Sequence, residues 1–218
     1  MENSYKTIEK EGKSEVEEKK SVFLGAAIPV KSQEEAEQAL SAIRKAHYKA
    51  RHHCYAMVLG PGRDFRRSSD DGEPSGTAGM PILSVLDGAQ CTDTLIVVTR
   101  YFGGTLLGTG GLVRAYTQAA QEALRDAGTV LMCRCRELSV CMDYTCFDKA
   151  SYFLRKSAED PATGDKCLLQ GEAVYADRVT VPLIVRCDME DEIREGIMSA
   201  TDRTAQIAEG EEKFVGLH

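Results

Sequence analysis

Residues 100–114 combine two arginines with a run of glycines, a composition that can hold an anion. Arg100 ends an apolar stretch, and Arg114 lies in the first turns of the helix predicted to follow. Glycine tolerates positive φ and lets a ligand approach the main chain. The free N–H groups at a helix start, together with the helix dipole, favour negative charge. We therefore predict a site for phosphate or an RNA backbone, formed by Arg100, Tyr101, Gly103, Gly104, Gly108, Gly110, Gly111 and Arg114.

The same segment also fits a purely structural role. Glycines allow a tight connection between a strand and a helix that pack closely together. The segment lacks the Gly-Lys-Ser/Thr of a P-loop, and its spacing is not that of a dinucleotide-binding fingerprint. Anion binding and close packing both remain open from the sequence.

A second segment, residues 68–79, places three carboxylates ahead of hydroxyls and glycines. Asp70, Asp71 and Glu73 are oxygen ligands of the kind that a hard cation such as Mg²⁺ prefers. Alternatively, they accept hydrogen bonds from the arginines of the first segment and fix the loop. The spacing is not that of a calcium-binding loop. Magnesium is therefore one alternative, and no cofactor is assigned.

A third group, residues 51–54, sets histidine beside cysteine. Such a pair suggests a thiolate nucleophile with its base, or two metal ligands. However, Cys54 begins an apolar strand, where a buried cysteine behaves as a small hydrophobic residue. In an extended chain His52 and Cys54 share one face. No catalytic residue is assigned, and we note His52, Cys54, Ser75 and Thr77 as residues associated with the same site.

The composition limits the classes of function. The 218 residues are 43% hydrophobic and 28% charged, which is typical of a globular protein. A net charge of −7 argues against a strongly basic nucleic-acid binder but allows a local basic patch. There is no apolar run of the roughly 18 residues that a membrane span needs, and residues 1–20 do not form a secretory signal. The eight cysteines lack the spacing of a disulfide scaffold, so we expect a cytoplasmic protein.

The apolar pattern predicts an α+β protein of two domains, residues 1–132 and 133–218, with the boundary near residues 130–136. Ser32 and Glu35 have capping-box spacing at the start of the first helix. In the first domain we predict strands at 21–30, 54–59 and 94–101, helices after 32, at 81–86 and at 112–127, and a long loop at 60–79.

The second domain has the βαββαβ order of a ferredoxin-like plait. Proline is disfavoured in a central strand, so we expect a bulge at Pro182. Its predicted elements are a strand from Glu137, a helix after Thr145, strands Lys166–Val174 and Arg178–Arg186, a helix capped by Asp188 and a strand at Ala205–Val215.

Residues 69–79, 100–104 and 107–116 resemble the defining motifs of the YigZ/IMPACT (UPF0029) family. The resemblance covers about residues 15–130, and the motifs are long and specific. The region 137–215 is similar to the additional C-terminal domain of the bacterial members, which resembles the last domain of elongation factor G.

The resemblance implies a first domain with the fold of ribosomal protein S5 domain 2. RNA-binding proteins, translation proteins and small-molecule kinases with phosphate-binding glycine loops share that fold. The eukaryotic relatives act in translational control during amino-acid starvation. The implied function is therefore translation-associated regulation, with RNA, the ribosome or a translation factor as partner. Many relatives carry a lysine where this chain has Leu106, which removes one charge from the anion site.

Three functions remain open from the sequence. The preferred one is a regulatory protein that binds RNA, the ribosome or another phosphate-bearing ligand. The second is a metal-dependent enzyme acting on a phosphorylated or acidic small molecule. The third is a module that binds only proteins. The sequence does not define an oligomeric state, and no membrane partner is expected.

Overall fold

A computed structural model describes residues 3–160 and 164–217. The chain divides into two compact units, one of residues 4–130 and one from residue 131 onward. Both combine helices with antiparallel sheets, so the protein is α+β as predicted. No helix within the described ranges is both long and apolar enough to cross a membrane.

The first unit is built on a five-stranded antiparallel sheet. Its elements in chain order are β1 Ser4–Ile8, β2 Gly12–Glu18, β3 Ser21–Pro29, α1 Gln33–Ala46, β4 His52–Leu59, β5 Phe65–Ser69, α2 Gly79–Ala89, β6 Thr94–Tyr101 and α3 Gly108–Ala127. The strand order in the sheet is β2-β3-β6-β4-β5. Strand β6 therefore lies at the centre, between β3 and β4.

The sheet is covered by helices on both faces. Ile96 and Val98 of β6 pack into a core with α2 and α3, whereas Leu95 and Val97 pack into a core with α1. Successive side chains of a strand point to opposite faces. This alternation explains why the whole apolar run is buried, as its sequence predicted.

Helix α1 begins with the predicted cap. The Ser32 hydroxyl accepts the N–H of Glu35 at 3.2 Å. The Glu35 carboxylate in turn accepts the N–H of Lys31 at 2.7 Å. Two main-chain donors that the helix cannot use are satisfied in this way.

The predicted loop at 60–79 was wrong in part, because β5 forms inside it and pairs with β4. Its sequence, Phe65–Ser69, is charged and exposed, as befits a strand at the edge of a sheet. Strands β1 and β2 were also missed. Each buries few apolar side chains, chiefly Ile8 in β1 and Val16 in β2, so neither has a clear two-residue period.

The second unit has a sheet whose strand order is β11-β7-β10-β8, with β9 also paired to β10. Its elements are β7 Thr129–Met142, α4 Tyr144–Lys156, β8 Leu168–Gln170, β9 Val174–Tyr175, β10 Val179–Arg186, α5 Glu190–Ala200 and β11 Gln206–Gly216. The pairings among these strands are antiparallel. Asp188 does not cap α5 as predicted; its carboxylate instead pairs with Arg186 at 2.6 Å.

The expected bulge at Pro182 is absent, since β10 pairs with β7 in an unbroken register. On its other side, β10 meets β8 and β9, which leave a gap opposite the proline. The Pro182 carbonyl accepts the N–H of Gly171 at 2.9 Å. The Pro182 nitrogen points to the same side of β10, where neither β8 nor β9 pairs with it. Its lack of an N–H therefore removes no hydrogen bond between strands.

Candidate functional site

Three chain connections of the first unit meet at one end of its sheet. Val22 at the start of β3 lies opposite Tyr101 at the end of β6. Arg100 lies opposite His52 at the start of β4. The β2–β3 turn, the α1–β4 connection and the β6–α3 connection are therefore neighbours. We call this end the tip, comprising residues 19–20, 47–52 and 101–110.

Asp70 of the acidic segment acts as a cap for α2. Its carboxylate accepts the N–H groups of Gly76 at 2.8 Å, Ala78 at 3.0 Å and Gly79 at 2.8 Å. Partial burial alone would raise the pKa of Asp70, but these three donors outweigh it and lower that pKa. The carboxylate is therefore held as an anion at a helix start, where its charge is favoured.

Asp71 connects the acidic segment, residues 68–79, to β4 and α1 through hydrogen bonds and an ion pair. Its carboxylate accepts the N–H of His53 at 2.7 Å and pairs with Arg44 at 3.1 Å. Its carbonyl oxygen lies 3.0 Å from Nδ1 of His52. A carbonyl can only accept, so Nδ1 of His52 carries the proton in this contact.

Glu73 forms a buried ion pair with Arg100. The Arg100 Nη1 lies 2.7 Å from the carboxylate, and the two side chains are only 7% and 4% exposed. Tyr116 of α3 donates its hydroxyl to the same oxygen at 2.8 Å. The guanidinium carbon of Arg100 also lies over the rings of Phe23 and Phe102, at 5.5 and 5.4 Å.

Each of the three carboxylates therefore bonds to different groups within the protein. This arrangement agrees with the alternative in which they fix the conformation of the loop. Across the described residues, no group of three or more His, Cys, Asp or Glu side chains is arranged to hold a metal. The donor set does not fit a magnesium site, and we derive no metal chemistry from it. Thr77 is buried and donates to the Pro74 carbonyl at 2.7 Å, whereas Ser75 is exposed.

Cys54 is placed as a structural residue. Its sulfur lies 3.3 Å from the Tyr116 oxygen, in the interior. Burial raises the pKa of the Cys54 thiol to about 12. A thiol with this pKa is protonated near neutrality and is a poor nucleophile. His52 bonds to Asp71 and His53 contacts Thr99, so neither serves as a base for the sulfur.

Two of the predicted anion-binding residues turn inward. Arg100 is engaged by Glu73, and the N–H of Gly103 donates to Ser21 Oγ at 3.1 Å. A Cβ on Gly103 would lie 2.0 Å from the carbonyl carbon of Lys20. Gly103 is therefore a packing glycine. The charge of Arg100 is paired with Glu73 within the protein and is not free for an anion in this structure.

The remainder of the glycine-rich loop is open. Gly104 and Gly108 have φ of +87° and +72°, and no atom lies within 4 Å of where their Cβ atoms would be. Helix α3 begins at Gly108 without a side-chain cap. Its first N–H groups therefore lie at the surface, as the anion-site prediction requires.

Arg114 lies over this uncapped start. Its Nη1 is 3.7 Å from the position that a Cβ on Gly110 would occupy. The side chain is exposed, and no carboxylate pairs with it in the part of the chain that the structure describes. Gly111 is buried, with a Cβ position 3.0 Å from the Leu107 side chain. Tyr101 is half-buried and bonds to His47 at 3.0 Å.

Further cations surround the loop and were missed from the sequence. Lys19 and Lys20 form the β2–β3 turn, and Lys49 and Arg51 lie just before β4. All four are exposed, and none has a carboxylate partner within residues 3–160 and 164–217. They are scattered along the chain, so only the sheet register brings them together. The Lys-Lys pair at a strand turn was the available signal.

Comparisons with known proteins agree with the motifs. The family model for the Impact N-terminal domain matches residues 19–124. IMPACT family member YvyE of Bacillus subtilis is 36% identical over 211 residues, covering 97% of this chain and 93% of that protein. IMPACT family member YigZ of Escherichia coli is 45% identical over 113 residues, covering 51% of this chain and 55% of that protein.

A solved structure resembles the whole chain. The crystal structure of a hypothetical protein has a TM-score of 0.60 and 29% sequence identity. The match covers 98% of this chain and 100% of that one. The extent of the similarity to YvyE, together with the matched domain, decides the assignment. The chain belongs to the YigZ/IMPACT family.

Proposed function

We propose that this protein binds phosphate groups of RNA through the tip, as a regulatory protein associated with the ribosome in the cytoplasm. The observation that supports this most is the uncapped start of α3 with Arg114 lying over it. Unpaired N–H groups at a helix start and a nearby guanidinium are the groups that bind phosphate oxygens.

The charges around the tip favour the same ligand. Lys19, Lys20, Lys49 and Arg51 add positive charge. The carboxylates of Asp70, Asp71 and Glu73 are engaged by donors within the protein. The chain as a whole carries −7, so a polyanion is repelled from most of its surface. The cationic tip then both attracts and orients an RNA backbone.

The two folds support a role in translation. We assign the first domain, residues 1–132, to the fold of ribosomal protein S5 domain 2. We assign the second, residues 133–218, to the ferredoxin-like plait. The order β11-β7-β10-β8 with antiparallel neighbours supports the second assignment. Both folds occur in translation proteins, but the fold alone cannot establish function.

The triple variant Lys19→Ala/Lys20→Ala/Arg114→Ala tests the proposal. The affinity for single-stranded RNA should fall, and the slope of log K against log salt should become shallower by about 0.7 for each phosphate that the variant no longer neutralises. Fluorescence anisotropy across a salt series measures both. Co-sedimentation with ribosomes should weaken in parallel.

The matched control is Lys149→Ala/Arg155→Ala/Lys156→Ala, which removes the same three charges from exposed positions of α4 in the second unit. This variant changes the net charge of the protein but not the tip. It should therefore keep the wild-type slope of log K against log salt. Equal reductions in affinity in both triple variants would indicate a non-specific charge effect and would contradict the assignment of the tip.

A further inference from the structure

A cavity of about 380 Å³ opens beside the glycine-rich loop, within the tip. It is lined by Lys49, Ala50, Arg51, His52, Arg100, Tyr101 and Phe102. The lining thus unites cationic and aromatic side chains and includes no carboxylate. This combination is typical of sites where single-stranded nucleic acid binds, with bases on aromatic rings and phosphates on cations.

Phe102 is the aromatic surface of this cavity. The ring is 55% exposed although Phe is usually buried. The Arg100 guanidinium supports it from one side, at 5.4 Å from the ring centre. An exposed ring that is held in place by a buried side chain is suited to stacking with a base.

Two polar groups in the cavity wall can bind a ligand. Arg100 is 6% exposed, and its Nε has no hydrogen-bond partner within the described residues. A buried donor without a partner is unfavourable, and an acceptor on a ligand would satisfy it. His52 uses Nδ1 to donate to the Asp71 carbonyl, so neutral His52 offers Nε2 as an acceptor. Nucleobases carry both acceptor oxygens and amino donors.

We propose that this cavity receives one unpaired nucleotide, with its base stacked on Phe102 and its phosphate bound by Lys49 and Arg51. The inference rests on the proposed binding of RNA and narrows the ligand to single-stranded RNA. A base inside a duplex is covered by its neighbours and cannot stack on a side chain. The volume lies within the range of small-ligand sites, about 300–1,000 Å³.

The variant Phe102→Leu removes the aromatic surface and keeps apolar bulk at an exposed position. Its affinity for a short single-stranded RNA should fall about tenfold, the scale of one base–aromatic stacking interaction. Binding of inorganic polyphosphate and of duplex RNA should stay within about twofold, because these ligands use the charges alone. Anisotropy measures all three affinities.

A second readout reports the base directly. An RNA carrying 2-aminopurine should lose fluorescence on binding the wild-type protein, because stacking quenches this base, and should keep it with Phe102→Leu. The control Phe65→Leu makes the same substitution at an exposed ring of β5, outside the tip and outside the cavity. It should behave as the wild type in both assays.

The outcomes separate this inference from the proposed function. Salt-dependent RNA binding that Phe102→Leu leaves unchanged would overturn the nucleotide pocket and leave the tip as a phosphate site. Equal weakening by Phe65→Leu would also overturn the pocket, since the effect would not be specific to Phe102. Failure of the wild-type protein to bind either RNA or polyphosphate would overturn both.

Discussion

Replacing Glu73 by Gln is expected to lower the free energy of unfolding by about 3–5 kcal/mol, the usual cost of breaking a buried ion pair from one side. The substitution keeps the shape of the side chain but leaves the Arg100 guanidinium buried without a counter-charge. It also weakens the acceptor that Tyr116 of α3 uses. Urea denaturation followed by circular dichroism measures the change.

The control Glu37→Gln removes a carboxylate from an exposed ion pair with Arg67, whose side chains are 54% and 48% exposed. It should cost less than about 1 kcal/mol. The double variant Glu73→Leu/Arg100→Met replaces both charges by apolar groups and should be less destabilised than Glu73→Gln. If Glu73→Gln lowered the free energy of unfolding as little as Glu37→Gln, the Glu73–Arg100 ion pair would not be important for stability.

Gly103→Ala is expected to destabilise the protein by about 1–3 kcal/mol or more, as overpacking does. The new Cβ would lie 2.0 Å from the Lys20 carbonyl carbon and 2.3 Å from the Ser21 nitrogen. Both are main-chain atoms, so relief requires moving the β2–β3 turn. The shift would also displace the start of α3, and RNA affinity should fall along with the unfolding midpoint.

Gly88→Ala is the matched control. Gly88 lies in α2, and nothing is within 4 Å of its Cβ position. Alanine in a helix is favoured over glycine, so this variant should be more stable by about 0.5–1 kcal/mol. A Gly103→Ala protein with wild-type stability and RNA affinity would show that the packing of the loop against the turn is unimportant.

The sequence predicted the elements whose signals are local. The apolar run in β6, the capping residues of α1 and the helical stripe of α3 each lie within a few residues of chain. These signals depend on periodicity and neighbouring side chains, which the sequence shows directly. Strands β1, β2 and β5 were not predicted, because they bury few apolar residues.

The partners of the site residues were not predictable, because they come from distant parts of the chain. Tyr116 reaches Glu73 across 43 residues, and Arg100 reaches Ser21 across 79. Both arginines of the glycine-rich segment were predicted to flank an anion. Only the sheet register shows that Arg100 faces the interior, while Lys19 and Arg51 reach the tip instead.

The first N–H groups of α3 are expected to receive the phosphate of a bound RNA. Backbone amide NMR of the labelled protein, titrated with a short single-stranded RNA, detects this contact at individual residues. The signals of Gly104, Gly108, Thr109 and Gly110 should shift on titration and shift less at high salt. If RNA bound while these signals stayed in place and others in the chain shifted, the start of α3 would not be the phosphate site.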